Sequence, residues 1–166
     1  MENPSFSEFK LRVNINAPVQ TVYDAWATPA GLESWFLRKA AFADPDGSKR
    51  SGNSALQTGD KYEWFWHGYP DSVVEHGKVL EADGRNRFVF TFSLGCPVTI
   101  RVFEELGETM VELVESELPT DPENLMNHFV GDSRGWIFYL ANLKSVLEGG
   151  LDLRNRREEI KDVITA

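Results

Sequence analysis

Hydrophobic positions along the chain first alternate, then recur at helical spacing, then alternate again through the middle. Phe9, Leu11, Val13 and Ile15 face one way and Lys10, Arg12 and Asn14 the other, the period of a half-buried strand. Asn16 and Ala17 stand at a cap position, and Pro18 fits a first helical position, where its missing N–H is no loss. Val19, Val22, Tyr23 and Trp26 then recur at helical spacing. Thr28-Pro29 repeats the start signal and predicts a second short helix through Leu32, Trp35 and Phe36, bent away from the first because Pro29 cannot continue it. Residues 38–59 are rich in Ser, Gly, Asp, Asn and Ala with little periodicity, which predicts a long irregular loop and a mobile rim.

Strand-like runs follow over residues 60–67, 73–81, 87–94, 98–105 and 109–117. Asp83-Gly84 and Leu106-Gly107-Glu108 have hairpin-turn chemistry, so these runs predict an antiparallel meander. Thr120-Asp121-Pro122-Glu123 supplies a cap, a proline at the first helical position and an acidic first turn. Beyond Gly131 and Gly135, where a kink is expected, Trp136, Tyr139, Leu140, Leu143, Val146 and Leu147 form one apolar stripe, and Gly149-Gly150 closes it with a left-handed cap. The order of elements predicts an α+β fold: a curved antiparallel sheet wrapped around a long C-terminal helix, with two short helices after the first strand. The expected domain covers residues 1–154. A tail over residues 155–166 carries Ile160, Val163 and Ile164 at helical spacing and is expected to dock on the body or on a partner.

Length and composition narrow the function. The 166 residues suit one domain, and 42% hydrophobic with 26% charged residues excludes disordered and membrane-spanning classes. With 26 acidic against 17 basic residues the net charge is -9, which argues against nucleic acid and anionic membranes as partners. Cys96 is the sole cysteine, so no internal disulfide can form, and the opening residues have neither a basic nor an apolar leader pattern; the expected location is cytoplasmic. The aromatic content, 5 Trp, 4 Tyr and 11 Phe, exceeds what a core of this size needs and suggests a pocket.

Alternation puts Tyr62, Trp64 and Trp66 on one sheet face, and Phe88, Phe90, Phe92 and Leu94 on the same face of a neighbouring strand. Val98, Ile100 and Val102, then Val111 and Leu113, continue it, met from above by Trp136, Tyr139, Leu140 and Leu143. Two outcomes are open: these side chains close into a core, or they leave a cavity for an apolar or aromatic ligand. Polar specificity would then come from Tyr62, Tyr139 or His76. His67, His76 and His128 lack metal-ligand spacing, so no metal site is expected, and Glu104, Glu105, Glu108, Glu112, Glu115 and Glu117 read as a solvated outer face. Asp132 and Arg134 flank the start of the long helix, as a cap, a rim ion pair or a contact for a polar ligand group. With no phosphate loop, nucleophile elbow or assembled Ser/His/Asp set, no catalytic residue is assigned and an enzyme is not the expectation.

The segments 16–26 (NAPVQTVYDAW) and 28–36 (TPAGLESWF) resemble the opening of the SRPBCC (START/Bet v 1-like, helix-grip) superfamily. They are most similar to the branch homologous to the C-terminal domain of the activator of Hsp90 ATPase. Gly77-Lys78-Val79-Leu80-Glu81, Arg87 to Phe92 and the stretch from Gly135-Trp136 to Gly149-Gly150 resemble its middle strands and final helix. The resemblance implies a helix-grip fold with a hydrophobic cavity between sheet and last helix, and no cofactor. The implied function is binding of a small hydrophobic or aromatic ligand by Tyr62, Trp64, Trp66, Phe90, Phe92, Ile100, Trp136, Tyr139, Leu140 and Leu143. Alternatives are a stress-related co-chaperone or protein-interaction module acting on a chaperone, and a cyclase- or hydrolase-like enzyme with a polar pair facing the cavity. A homodimer is also expected.

Overall fold

In the computed structural model, which describes residues 6–164, one antiparallel sheet of 7 strands has the order β1-β7-β6-β5-β4-β3-β2. The strands are β1 (Phe9–Ile15), β2 (Lys39–Ala43), β3 (Lys61–Phe65), β4 (Glu75–Ala82), β5 (Arg87–Phe92), β6 (Cys96–Glu105) and β7 (Glu108–Glu115). After β1 come α1 (Val19–Ala27) and α2 (Pro29–Trp35), where the Thr28 hydroxyl accepts from the Gly31 N–H and Pro29 opens the helix. A short turn, α3 (Pro122–Asn124), runs into a π-helical turn (Leu125–Val130) and then into α4 (Gly131–Leu147). This is the α+β helix-grip architecture: the curved sheet holds α4 across its inner face.

The inner face carries the expected rings. Trp26, Trp35, Trp64, Phe88, Phe90, Ile100, Leu113 and Leu143 are all fully buried. The Trp26 and Trp35 rings meet edge-on at 4.5 Å, and Trp136 of α4 sits 6.0 Å from Trp26 and 6.2 Å from Phe90. Each such ring removed from water contributes roughly 1.5–3 kcal/mol, so this stripe is what fixes α4 against the sheet. Gly77 of β4 lets the Tyr62 ring lie flat across the strand, since a Cβ there would fall 2.3 Å from the Tyr62 hydroxyl.

Three expectations are corrected. Residues 38–59 contain β2, whose alternation rests on Ala40 and Phe42 alone and is therefore faint in sequence. The rest of that stretch is tied down, by the Arg50 guanidinium forked onto Asp60 at 2.9 and 2.7 Å and by backbone bonds joining Ala30 to Gly52 and Leu56 to Ala27. Leu94 leaves the sheet face: with Ser93 and Gly95 it forms the β5–β6 turn and is 65% exposed. The tail forms no helix over residues 151–164; residues 165–166 lie outside the described residues. Side-chain bonds win there, because Arg154 donates to the carbonyls of Glu33, Ser34 and Leu37 at the end of α2 and so straps the chain just ahead of the tail.

Candidate functional site

β7 buries alternate residues, and the inward series Val111, Leu113 continues to Glu115. Glu115 is completely enclosed, far from the solvated face its acidic neighbours suggest. Its Oε2 accepts from the Trp136 indole N–H at 2.9 Å, while its Oε1 has no donor. The charge of Asp132, in the first turn of α4, acts on Glu115, and Asp132 Oδ2, 3.6 Å from His128 Nδ1, is likewise enclosed with no donor in hydrogen-bonding range. Two carboxyl groups that face each other with orphaned oxygens are satisfied when one proton lies between them. Burial, reinforced by the charge of Asp132, accordingly pushes Glu115 up to about 8. Asp132 is also raised by burial, against which the Ser93 hydroxyl and His128 pull it down.

Three further residues complete the cluster. The β5–β6 turn holds Ser93, Leu94 and Gly95 at φ 36, 62 and 81, a conformation that non-glycine residues adopt at a cost. That turn points the Ser93 hydroxyl at His128 Nδ1, 2.7 Å away. The π-helical turn carries His128, one helical step before Asp132 and 3.6 Å from its carboxylate. From β4, Glu75 faces the same space; burial raises it, and the Ser93 backbone N–H donates to it.

Beside this polar cluster opens a cleft of about 120 Å³. Its walls are Phe36, Trp66, Phe92, Trp136 and Tyr139, with Gly131, Asp132 and Gly135 along the α4 side. Phe36 stands 4.7 Å from Tyr139 and 5.1 Å from Trp136, and Phe92 closes the other side 5.2 Å from Trp136. A Cβ built at Gly135 would meet no atom within 4 Å, so this glycine leaves space that any other side chain would take. The space is that of roughly one six-membered ring, since an apolar cavity of about 150 Å³ accommodates benzene.

A larger groove of about 590 Å³ lies elsewhere, along β2–β4, with Lys39, Lys49, Arg50 and Lys61 among its lining. It is open to solvent, Arg50 is committed to Asp60, and the Tyr62 hydroxyl is committed to the Thr91 carbonyl. Its size comes from surface curvature, and it contains no enclosed polar group with an unmet bond.

The structure brings together Trp66, Phe92, Trp136 and Tyr139 at the cleft. Trp64, Phe90, Ile100, Leu140 and Leu143 are enclosed in the core, and Tyr62 borders the outer groove. His76 is exposed, 3.9 Å from Glu63 on the sheet surface, and Arg134 points outward while Asp132 points in. Sequence reasoning missed Glu115, Ser93 and Glu75 and placed no weight on His128. For Glu115 the signal was present in the period-2 continuation from Val111 and Leu113; for Ser93 there was none, because a turn residue's direction depends on its φ.

A family model for activator of Hsp90 ATPase homolog 1-like proteins matches residues 16–148. No curated protein matches by sequence. Among solved structures, a protein from Staphylococcus saprophyticus superposes with a TM-score of 0.69 at 18% identity, covering 89% of this chain and 96% of that one. The Aha1 dimer from Colwellia psychrerythraea gives 0.63 at 18% identity, covering 86% and 97%. A protein from Micromonospora echinospora gives 0.63 at 19% identity, covering 88% and 77%. These likenesses establish the shared fold.

Proposed function

We propose that this chain, which belongs to the family of activator of Hsp90 ATPase homolog 1-like proteins, is a binding module whose cleft takes a small aromatic molecule. The observation that carries the reading is the ring-sized space walled by Phe36, Phe92, Trp136 and Tyr139 and kept open by Gly135. A single ring that buries about 200 Å² there gains on the order of 5 kcal/mol before association costs, enough for weak to moderate affinity without any special chemistry. Asp132 then offers the polar contact that orients the ring.

The test pairs native mass spectrometry of freshly purified protein with thermal shift in the presence of indole and toluene. Wild type is expected to bind at least one of these, and Gly135→Leu, which fills the cleft from a site with no neighbouring atoms, is expected to fold and to lose binding. Equal binding by Gly135→Leu would place the ligand elsewhere and end this reading.

A second reading, an acid–base enzyme, is favoured by one observation: the Glu115–Asp132 pair supplies a held proton beside the cleft. Turnover of a cleft ligand that vanishes in Glu115→Gln, while binding persists, would support it. A chaperone-facing role would be read as a changed Hsp90 ATPase rate on adding this chain; an unchanged rate at saturating protein removes it.

A further inference from the structure

The chemistry around the cleft selects among small aromatic ligands; this inference rests on the cleft being the binding site. Asp132 lines the cleft, Glu115 and Glu75 stand behind it, and no Lys or Arg of the described residues pairs with any of the three. Among the described residues, His128 beside Asp132 and His76 beside Glu75 are the groups there able to carry positive charge. Glu115 Oε1 and Asp132 Oδ2, both enclosed, have no donor. The remaining walls are aromatic rings, whose faces attract cations and whose desolvated setting strengthens that attraction. A site with surplus acceptors, surplus negative charge and aromatic walls fits a ligand that brings donors and positive charge.

We infer that the cleft takes a small aromatic ammonium compound, its ring packed among Phe36, Phe92 and Trp136 and its N–H groups on the Asp132 carboxylate. A carboxylate ligand would add negative charge to an already acidic cluster and is excluded. A neutral alcohol brings a single donor and no charge, so it binds more weakly. The protein's net charge of -9 draws cations toward it.

Binding also moves a proton in a defined direction. The proton shared by Glu115 and Asp132 is released to solvent as the ammonium takes its place, so the pair carries one further negative charge opposite the ligand's positive one. Affinity for the amine therefore rises with pH until the pair is ionised without ligand. The groups that face this event are Glu75 and His76 from β4, Ser93 from the β5–β6 turn, Glu115 from β7, His128 from the π-helical turn and Asp132 from α4. Cys96 of β6 and Tyr62 of β3 feel the same charges, but burial raises both and keeps them neutral.

The experiment is calorimetric titration of the full chain with benzylamine, benzyl alcohol and benzoate at pH 6, 7 and 8, in buffers of different ionisation enthalpy. Benzylamine is expected to bind wild type about tenfold or more tighter than benzyl alcohol at pH 8, with net proton release, and benzoate is expected not to bind. Asp132→Asn is expected to bring amine and alcohol to equal affinity. Glu115→Gln, which keeps an acceptor for the Trp136 N–H, is expected to flatten the pH dependence; His128→Gln is expected to leave proton release in place. An alcohol that matches the amine on wild type, or an amine preference that survives Asp132→Asn, overturns the inference while leaving the cleft intact as a site. Failure of all three probes on wild type, with indole and toluene also unbound, overturns the cleft reading itself.

Discussion

Buried charge occurs at both ends of α4, and the two clusters are built in opposite ways. Near the C-terminal end, Arg154 is 6% exposed and its guanidinium donates to three carbonyls of the α2 region and to Asp152. Asn142, fully buried, donates to the Trp35 carbonyl and to Asp152 and accepts from the Leu153 N–H. Burial works against the Asp152 charge, yet bonds from Arg154 and Arg156 hold its carboxyl far below the usual range. At the N-terminal end, burial raises the carboxyls of both Glu115 and Asp132, two of their oxygens have no donor from the protein, and the backbone nearby is strained at Ser93 and Leu94. The satisfied cluster does structural work by strapping the tail. The unsatisfied one stands beside an open cleft, where a ligand can supply what the protein does not.

The contrast predicts different responses to substitution. The largest effect is expected at the satisfied end: Arg154→Ala strips three carbonyls and one carboxylate of their donor and should cost about 3–5 kcal/mol in urea unfolding. Lys at that position should recover little, because one ammonium cannot reproduce the fork. If Arg154→Ala unfolds like wild type, the strap has no structural weight and the comparison fails.

Next comes pH. A carboxyl raised in the fold stabilises fully below the unfolded pKa and loses that contribution as pH climbs through the folded value, here about 8 for Glu115. Glu115→Gln removes the titration, so the variant should gain on wild type by roughly 2–4 kcal/mol between pH 5 and pH 8. A constant difference across that range would mean that Glu115 is already ionised in the fold. Asp152 runs the other way, since a lowered carboxyl stabilises above the unfolded pKa and loses its effect as pH falls. Asp152→Asn should cost about 1–2 kcal/mol at pH 7, an effect limited by its exposed edge, and progressively less as pH falls below the ordinary carboxylate range. The smallest change is Gly135→Ala, expected to stabilise α4 by about 1 kcal/mol because the added Cβ meets no atom and alanine favours helix.

Much of this architecture is written in periodicity. Helices α1 and α2 follow from Pro18 and Thr28-Pro29, and the meander from the turns at Asp83-Gly84 and Leu106-Gly107, where Leu106 and Gly107 both adopt positive φ. The short strand β2 escaped because two alanines and one phenylalanine in Lys39–Ala43 hardly register as alternation. The apolar cleft wall was half legible: Trp66, Phe92, Trp136 and Tyr139 lie on the expected faces, but pattern alone does not say which rings of a stripe touch and which leave a gap. The acidic cluster was masked by its own composition, because Glu115 ends a strand whose other glutamates, the exposed Glu108 and the partly buried Glu112, lie on the opposite face.

The ring network gives the molecule an optical property of its own. Trp26 lies 4.5 Å from Trp35 and 6.0 Å from Trp136, close enough for excitation absorbed by one indole to migrate to the next before it is emitted. Trp136 is the member whose N–H is bonded to Glu115, and a carboxyl drains an excited indole differently when it is protonated than when it is ionised. Ultraviolet emission from the whole cluster is therefore a built-in gauge of that single proton, readable on unlabelled protein in a cuvette.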